Sequence, residues 1–331
     1  MLVTRHIHGF TVLMLLAMLL AWGGMNYQVL RHKPLVANDT IFEIHKGQGL
    51  DQVITQLQQQ GIAVNRFWFR LLAYRKQLDR RLKAGEYVIA KGFTSADILN
   101  LFAQGKTRQY SITFPEGWSF KQMYQAIQSN PHLQHTLQDV QFKDIMAHIG
   151  SEYTHPEGLF FPDTYRFEKN TTDLELLRLA HHKMEKVLTH EWQQRDPAIP
   201  LQSPYQALIL ASIVEKETAA EEERKRIAGV FTRRLQQGML LQTDPTVIYG
   251  MGDDYHGDIR RQDLREPTPY NTYVIEGLPP TPIAMPGREA IYAALHPEDG
   301  DALYFVSRGN GRHAFSATLA EHEKYVDRYQ R

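Results

Sequence analysis

The sequence predicts an α+β chain with an N-terminal transmembrane helix, a small α+β module and a larger mixed α/β domain. Three observations lead to this prediction. The stretch from Gly9 to Leu30 contains no charged side chain and is long enough to cross a membrane, which takes about 20 helical residues. A short order of strand, two helices and strand follows over residues 41–89, and beyond residue 110 helical patterns alternate with short strand patterns and proline-rich loops.

Residues 1–30 are predicted to be a cytoplasmic tail and a transmembrane anchor. Arg5 precedes the apolar stretch and residues 31–33 are basic, so the flanking charges nearly balance and leave the orientation open. A cleaved signal peptide is an alternative because residues 21–23 suit a small-x-small cleavage site, and a buried soluble helix is another. The apolar character continues through Met25 and Val29, which favours an uncleaved anchor.

Residues 31–40 are predicted to be a polar linker, and residues 41–108 a compact module. Ile41–Ile44 alternates like a strand, Gly61 ends a first helix, and Gly85–Ile89 is predicted to be the returning strand. This order resembles a LysM-like glycan-binding module. A purely structural subdomain is the alternative, since aromatic residues on a helix belong more often to a core than to a sugar-binding surface.

Residues 109–331 are predicted to form the larger domain. Strand patterns occur at residues 111–114, 302–306 and 312–315, and helical patterns fill most of residues 120–149 and 173–194. A further helical stretch contains no proline from Tyr205 to about Leu235.

Composition excludes several classes of function. Lys+Arg and Asp+Glu both number 37, so net charge gives no attraction to nucleic acid, and no nucleic-acid partner is expected. Cysteine is absent from the sequence, which excludes disulfides, cysteine–zinc sites and thiol catalysis. His-Glu-x-x-His, Gly-x-Ser-x-Gly and the phosphate-binding P-loop are also missing, so we expect neither a metal nor a cofactor.

The segment 208–218 is an apolar run that ends in two carboxylates, Glu215 and Glu217. At 100° per residue, Glu217 continues the bulkier apolar stripe with Ile209 and Ile213, whereas Glu215 lies on the opposite side. A carboxyl group in such a buried position holds its proton more tightly, as a general acid requires. The alternatives are that Glu215 is the functional carboxylate, or that the segment is simply a solvated helix end.

Several long strings in fixed order resemble the YceG-like family, the endolytic murein transglycosylases. The resemblance extends from about Ile41 to the C-terminus. It rests on Glu157–Tyr165, Ala211–Thr218, Leu241–Tyr249, Tyr270–Tyr273, Gly277–Pro280, Pro286-Gly287 and Tyr304–Val306 with His313 and Phe315.

This resemblance implies an enzyme that cuts peptidoglycan glycan strands internally. It also implies a single-pass protein of the bacterial inner membrane with its bulk in the periplasm, and suggests peptidoglycan synthases as partners. The family's catalytic glutamate, the second of a Glu-Lys-Glu triplet, falls on Glu217.

Five residues of the matching strings are expected to hold the sugars, namely Glu157, Gln242, Asp244, Tyr270 and Asn271. Thr281 and Met285 stand where the family more often has Gly and Asn, which affects the expected substrate preference but not the chemistry. Two other functions remain open. One is a hydrolase of the same bond that uses Asp244 or Glu157 to activate water, and the other is a glycan-binding scaffold without catalysis.

Overall fold

The computed structural model describes residues 2–330, with side chains described from Thr11 onward. The chain divides into two compact units. The first contains the chain up to Tyr110 together with Phe167–Lys169, and the second contains Ser111–Arg166 and the chain from Asn170. Both strands and helices are present, which confirms the predicted α+β class. The functional domain boundaries at residues 31, 41 and 109 stay predictions.

The first unit contains the strand, helix, helix, strand order that the sequence predicts, preceded by one helix and followed by another. Strands β1 and β2 are antiparallel, with Thr40 opposite Ile89 and Ile44 opposite Gly85. The elements are α1 (Leu2–His32), β1 (Thr40–Ile44), α2 (Leu50–Gln59), α3 (Arg66–Arg75), β2 (Gly85–Ile89) and α4 (Ser95–Gln104). Their inner faces form one core that includes Phe42, Leu57, Phe69 and Phe102.

Helix α1 contains the predicted membrane-spanning stretch. Thr11–His32, 22 residues, is long and apolar enough to cross a membrane. Large apolar side chains along it, such as Leu13 and Leu20, are exposed, which is consistent with a single-pass anchor. The following segment is held against the module, since Leu35 N–H donates to the Phe93 carbonyl and Val36 is buried.

The second unit is mainly helical, and its strands pair only two by two. Strands β3 (Gln109–Thr113) and β4 (Thr164–Glu168) pair with each other. The remaining elements are α5 (Phe120–Gln128), α6 (Ile145–Ile149), α7 (Asp173–Gln193), α8 (Pro204–Glu217), α9 (Arg224–Gln236), α10 (Asp244–Met251), α11 (Arg288–Leu295), the antiparallel pair β5 (Tyr304–Ser307) and β6 (His313–Ser316), and α12 (Leu319–Tyr329).

Helix α8 forms the centre of the second unit, packed against α7, α9, α10 and α11. The Ser203 side chain caps its N-terminus by accepting from Gln206 N–H, and Pro204 takes the first-turn position that proline tolerates. Every residue from Ala207 to Val214 is buried. Because the apolar run is enclosed on all sides, α8 is a core helix that fixes the position of its C-terminal residues.

The proline-free stretch from 205 to about 235 contains two helices with a break between them. Helix α8 ends at Glu217, and Thr218 is extended with φ −147° and ψ 136°. Helix α9 begins only at Arg224. No proline causes this break; the acidic run at Glu221–Glu223 forms a short 3₁₀ turn before α9. The break makes Glu217 the last helical residue, at the edge of the core.

Candidate active site

The carboxyl group of Glu217 lies where the buried helix α8 meets the surface. The residue is half-buried and borders two open grooves of the second unit. This position combines a desolvated carboxyl group with access from outside, which a general acid needs in order to meet a substrate.

The first groove encloses roughly 410 Å³ beside the loop that precedes α10. Its wall carries aromatic rings and hydrogen-bonding side chains, the mixture that suits sugar rings with many hydroxyl groups. Lining residues include Glu217, Arg234, Gln242, Asp244, Tyr273, Tyr304, Phe305, His313 and His322.

The second groove encloses roughly 440 Å³ on the other side of Glu217 and is more strongly charged. Its lining combines carboxylates with basic groups and one indole ring. The lining residues are Glu116, Gly117, Trp118, Gln122, Glu215, Lys216, Glu217, Thr218, Ala219 and Arg224. Because Glu217 borders both grooves, an extended ligand that occupies both would pass its carboxyl group.

Burial raises the pKa of Glu217 to about 7. The Thr243 hydroxyl donates a hydrogen bond to Glu217 Oε1 and lowers this pKa, whereas the nearby Asp244 charge raises it. A carboxyl group with such a pKa is partly protonated near neutral pH and can both give and accept a proton.

The loop that supplies Thr243 is held by Thr272. Gln242 N–H donates to the Thr272 carbonyl at 3.0 Å, and Thr243 N–H donates to the Thr272 hydroxyl at 3.1 Å. Gln242 itself has φ 51°, an uncommon conformation for a residue other than glycine. Such a conformation persists where surrounding bonds fix it, so the loop is held in one arrangement next to Glu217.

Asp244, which also lines the first groove, is held by Tyr273. The Tyr273 hydroxyl donates to Asp244 Oδ1 at 2.6 Å. This bond fixes the carboxylate at the first residue of α10, next to Glu217.

Glu215 has a different environment from Glu217. Its carboxylate accepts from Gly287 N–H at 3.0 Å and lies 4.0 Å from the Arg224 guanidinium. Burial raises its pKa, and the Gly287 bond counteracts this rise. Glu215 therefore ties α8 to the start of α11.

A family model decides which proteins the chain is related to, because it matches residues 42–328. The chain belongs to the YceG-like family. Its relatives include the endolytic murein transglycosylase of Bacillus subtilis strain 168, 35% identical over 267 residues that cover 75% of this chain and 73% of the relative. The endolytic murein transglycosylase of Streptococcus pneumoniae D39 is 27% identical, and the match covers 97% of this chain but only 65% of that relative.

A solved structure is also similar. The crystal structure of a YceG-like protein from Listeria monocytogenes matches with a TM-score of 0.55 and 29% identity, over 88% of this chain and 100% of that chain. The similarity therefore includes most of the fold described above.

In this YceG-like protein, the sequence-predicted site residues fall into two groups. Gln242 and Asp244 line the first groove together with Glu217. Glu157, Tyr270 and Asn271 are not among the described residues that line either groove at Glu217.

This second group is bound inside the protein. Glu157 is buried and accepts from Phe120 N–H at 2.9 Å and from the Tyr249 hydroxyl at 3.1 Å. The Tyr249 ring packs edge-on against Tyr270, whose hydroxyl is 2.9 Å from that of Thr281. Thr281 thus supports this cluster.

The buried side chain of Asn271 braces its own loop. Its amide donates to the carbonyls of Asp263 and Glu266 at 3.0 and 2.8 Å, and its oxygen accepts from Tyr273 N–H at 3.0 Å.

Sequence reasoning missed three residues of the site. Thr243 contacts Glu217 directly, Tyr273 binds Asp244, and the largely buried Arg234 donates to the carbonyls of Leu240 and Leu241. Thr243 and Tyr273 lie within the strings that resemble the YceG-like family, and this resemblance was the signal that could have identified them. No comparable sequence signal pointed to Arg234, because basic residues near a helix C-terminus are common.

Proposed function

We propose that this chain is an endolytic lytic transglycosylase of peptidoglycan, with Glu217 as its acid and then its base. Membership of the YceG-like family and the names of the curated relatives support the general activity. The observation that carries the mechanism is a half-buried carboxyl group with a pKa raised to about 7 at the junction of two open grooves.

In the proposed first step, protonated Glu217 donates its proton to the oxygen between N-acetylmuramic acid and N-acetylglucosamine. The bond from this oxygen to the muramic acid anomeric carbon breaks, and the substrate's acetamido oxygen shares the positive charge that develops there. In the second step, Glu217 takes the proton of the C6 hydroxyl, whose oxygen bonds to the same carbon. The product is a 1,6-anhydro end, and no water is consumed.

The two grooves suit the sugars on either side of the cut bond. We propose that Gln242 and Asp244 contact the glycan in the first groove, with Tyr273 and Thr243 holding Asp244 and Glu217 in place. The internal contacts of Glu157, Tyr270 and Asn271 support a role in bracing the loops, and their direct contact with sugar stays a prediction.

We further propose that α1 anchors the protein in the inner membrane with its bulk in the periplasm. The exposed apolar stretch Thr11–His32 supports this anchor. Glycan binding by a LysM-like module at residues 41–108, association with peptidoglycan synthases and a role in ending glycan elongation are parts of the same proposal, and rest on the family resemblance.

Glu217→Gln tests the proposed mechanism, because it keeps the size of the side chain and removes its proton. General acid–base catalysis contributes about 10²–10⁴-fold, so the yield of anhydro-ended fragments from long glycan strands should fall by that factor. Glu185→Gln on α7, whose side chain is 55% exposed, is the matched control and should leave the yield unchanged.

Two results would contradict this assignment. If Glu217→Gln retains activity while Glu215→Gln loses it, the other carboxylate is the acid. If mass spectrometry finds ends one water heavier than the anhydro form, the chain is a hydrolase, and Asp244, whose charge acts on Glu217, becomes the base that activates water.

A further inference from the structure

Helix α3 of the first unit presents an exposed apolar face. Phe67, Leu71 and Tyr74 are 65%, 40% and 52% exposed. At 100° per residue these three side chains lie on one side of the helix, opposite the buried Phe69 and Leu72. Single exposed apolar residues are ordinary, but three on one face of a ten-residue helix form a patch.

The same helix contacts α1 within the membrane-spanning stretch. The Trp68 and Tyr27 rings lie 6.2 Å apart, and the Arg75 guanidinium lies 5.4 Å from the Tyr27 ring centre. A side-chain carbon at Gly23 would lie 3.8 Å from the edge of the Trp68 indole, so this ring passes close beside the helix. Both Gly23 and Tyr27 belong to the 22-residue stretch that is able to cross a membrane.

This contact fixes the depth of α3 relative to the span. The stretch ends at His32, and a helix rises 1.5 Å per residue, so Tyr27 lies about 8 Å and Gly23 about 14 Å before its end. A helix beside these residues is level with the outer part of the bilayer rather than with bulk water. Amphipathic helices at membrane surfaces bury their apolar face by about 5–10 Å at this level.

Hydrogen bonds hold the segment between α1 and the module in place, and so keep α3 close to the end of the span. Leu35 N–H donates to the Phe93 carbonyl at 2.8 Å, and Gly92 N–H donates to the Val36 carbonyl at 2.9 Å. The Asp39 carboxylate accepts from Lys91 N–H at 2.8 Å. The span therefore continues into the module without a free linker.

The charges beside the apolar face suit lipid headgroups. Arg66, Arg70 and Arg75 are exposed on α3, and Arg31 lies at the end of the span. Long basic side chains can place their stems along apolar tails and their charged ends among phosphates. Asp51 is the acidic group that faces them, 3.5 Å from Arg70 and 4.0 Å from Arg66.

We propose that α3 lies in the headgroup region of the membrane at the C-terminal end of the span, with Phe67, Leu71 and Tyr74 inserted between the lipids. The module is then a second membrane contact that fixes the tilt of the first unit on the surface. This inference rests on the proposed membrane anchor.

Spin labels test the insertion directly, because the chain contains no cysteine and each label needs only one substitution. Phe67→Cys, Leu71→Cys and Tyr74→Cys are made in the full chain, labelled with a nitroxide and reconstituted into vesicles of phosphatidylethanolamine and phosphatidylglycerol. Collision of the label with oxygen, which dissolves in lipid, is compared with collision with a water-soluble nickel chelate. The oxygen-to-nickel ratio should exceed one at all three positions.

Labels at two other positions serve as controls for the three labels on α3. Leu179→Cys replaces a leucine that is 51% exposed on α7 of the second unit and should give a ratio below one. Met18→Cys lies within the span and should give the highest ratio if the anchor crosses the membrane.

Three results would overturn the inference or its basis. A water-like ratio at positions 67, 71 and 74, with a lipid-like ratio at 18, rejects insertion of α3 while keeping the anchor. A water-like ratio at 18 rejects the anchor itself. Protection of the three positions from both reagents shows that protein rather than lipid covers this face, which also rejects the proposal.

Discussion

The side chain of Glu217 is subject to two opposing local influences on top of its burial. The Thr243 hydroxyl stabilises the carboxylate by donating a hydrogen bond, and the negative charge of Asp244 destabilises it. Because the proposed first step needs the protonated acid, these neighbours set the pH at which activity declines. Each can be removed separately, and the two changes should act in opposite directions.

Thr243→Val should move the alkaline limb of the pH profile of kcat/KM to higher pH. The substitution keeps the shape of the side chain but removes the donor to Glu217, so the pKa of the acid rises and Glu217 stays protonated at higher pH. Thr243→Ser keeps the hydroxyl and is the control, with a profile like that of the wild type. An unchanged limb in Thr243→Val would mean that this hydrogen bond does not act on the group that titrates.

Asp244→Asn should move the same limb to lower pH. Removing a neighbouring negative charge eases ionisation of Glu217, so its pKa falls toward the usual value of a carboxylic acid. The position of the limb reports this effect even if the rate also declines through weaker sugar binding. A limb that moves to higher pH, or does not move, would contradict the electrostatic coupling of these two carboxyl groups.

At this scale, sequence periodicity was enough to choose between Glu215 and Glu217 as the candidate. Periodicity can separate the two because both lie on one helix, where the angular position of each side chain follows from counting residues, and the choice of Glu217 stays a prediction. The contacts of Thr243 with Glu217 and of Tyr273 with Asp244 join residues 26 and 29 positions apart in different segments. Periodicity within one element carries no information about such contacts.

At the scale of elements, the site depends on two loops that brace each other. Thr272 accepts from Thr243 N–H through its hydroxyl oxygen, and that hydroxyl also lies 2.8 Å from the hydroxyl of Thr246 at the start of α10. Thr272 is fully buried, so Thr243 N–H would lack its acceptor without it, whereas the Thr246 hydroxyl also donates to the Thr243 carbonyl. The strings Leu241–Tyr249 and Tyr270–Tyr273 are therefore held together by these hydrogen bonds.

Thr272→Val should lower both stability and activity. A buried N–H left without an acceptor costs about 1–3 kcal/mol, so the free energy of unfolding should fall by that amount in chemical denaturation of the full chain in detergent. The rate should fall as well because Thr243 is no longer held against Glu217. Thr272→Ser retains the hydroxyl and should keep the activity; a Thr272→Val variant as active as the wild type would show that the loop does not depend on this residue.

Elements that local sequence features mark, such as a capping residue, were predicted well. Elements that depend on tertiary contacts were not. The prediction of helix over most of 120–149 is accurate at its start, where the Ser119 side chain accepts from Gln122 N–H, but α5 already ends at Gln128 before Pro131. Helix α10 was not predicted, although Pro245 lies in its first turn. Its apolar residues are too few to give a helical period over eight residues.

For the whole molecule, the chain divides into two compact units after Tyr110, and the predicted functional domains stay predictions. The return of Phe167–Lys169 to the first unit could not be predicted. The Lys169 ammonium lies 2.6 Å from Glu43 and 3.3 Å from Glu86, an association of charges that are far apart in the sequence.

The stability of the molecule should decline as the pH rises through the range in which Glu157 ionises. Burial raises the pKa of Glu157 from 4.5 to about 7, so the native state holds this proton more tightly than the unfolded chain does. The stabilising contribution is complete below pH 4.5 and is lost as the pH rises to about 7. One pKa unit corresponds to about 1.4 kcal/mol, so the full loss amounts to about 3 kcal/mol.

Glu157→Gln should therefore flatten the decline in melting temperature of the full chain in detergent between pH 5 and pH 8. The amide has no proton to lose, and it can still accept from Phe120 N–H and contact the Tyr249 hydroxyl. Part of the decline should persist, because the pKa of Glu217 is raised in the same direction. Glu185→Gln on the exposed side of α7 should keep the wild-type slope, and an equal slope in Glu157→Gln would show that the buried carboxyl group does not control stability in this range.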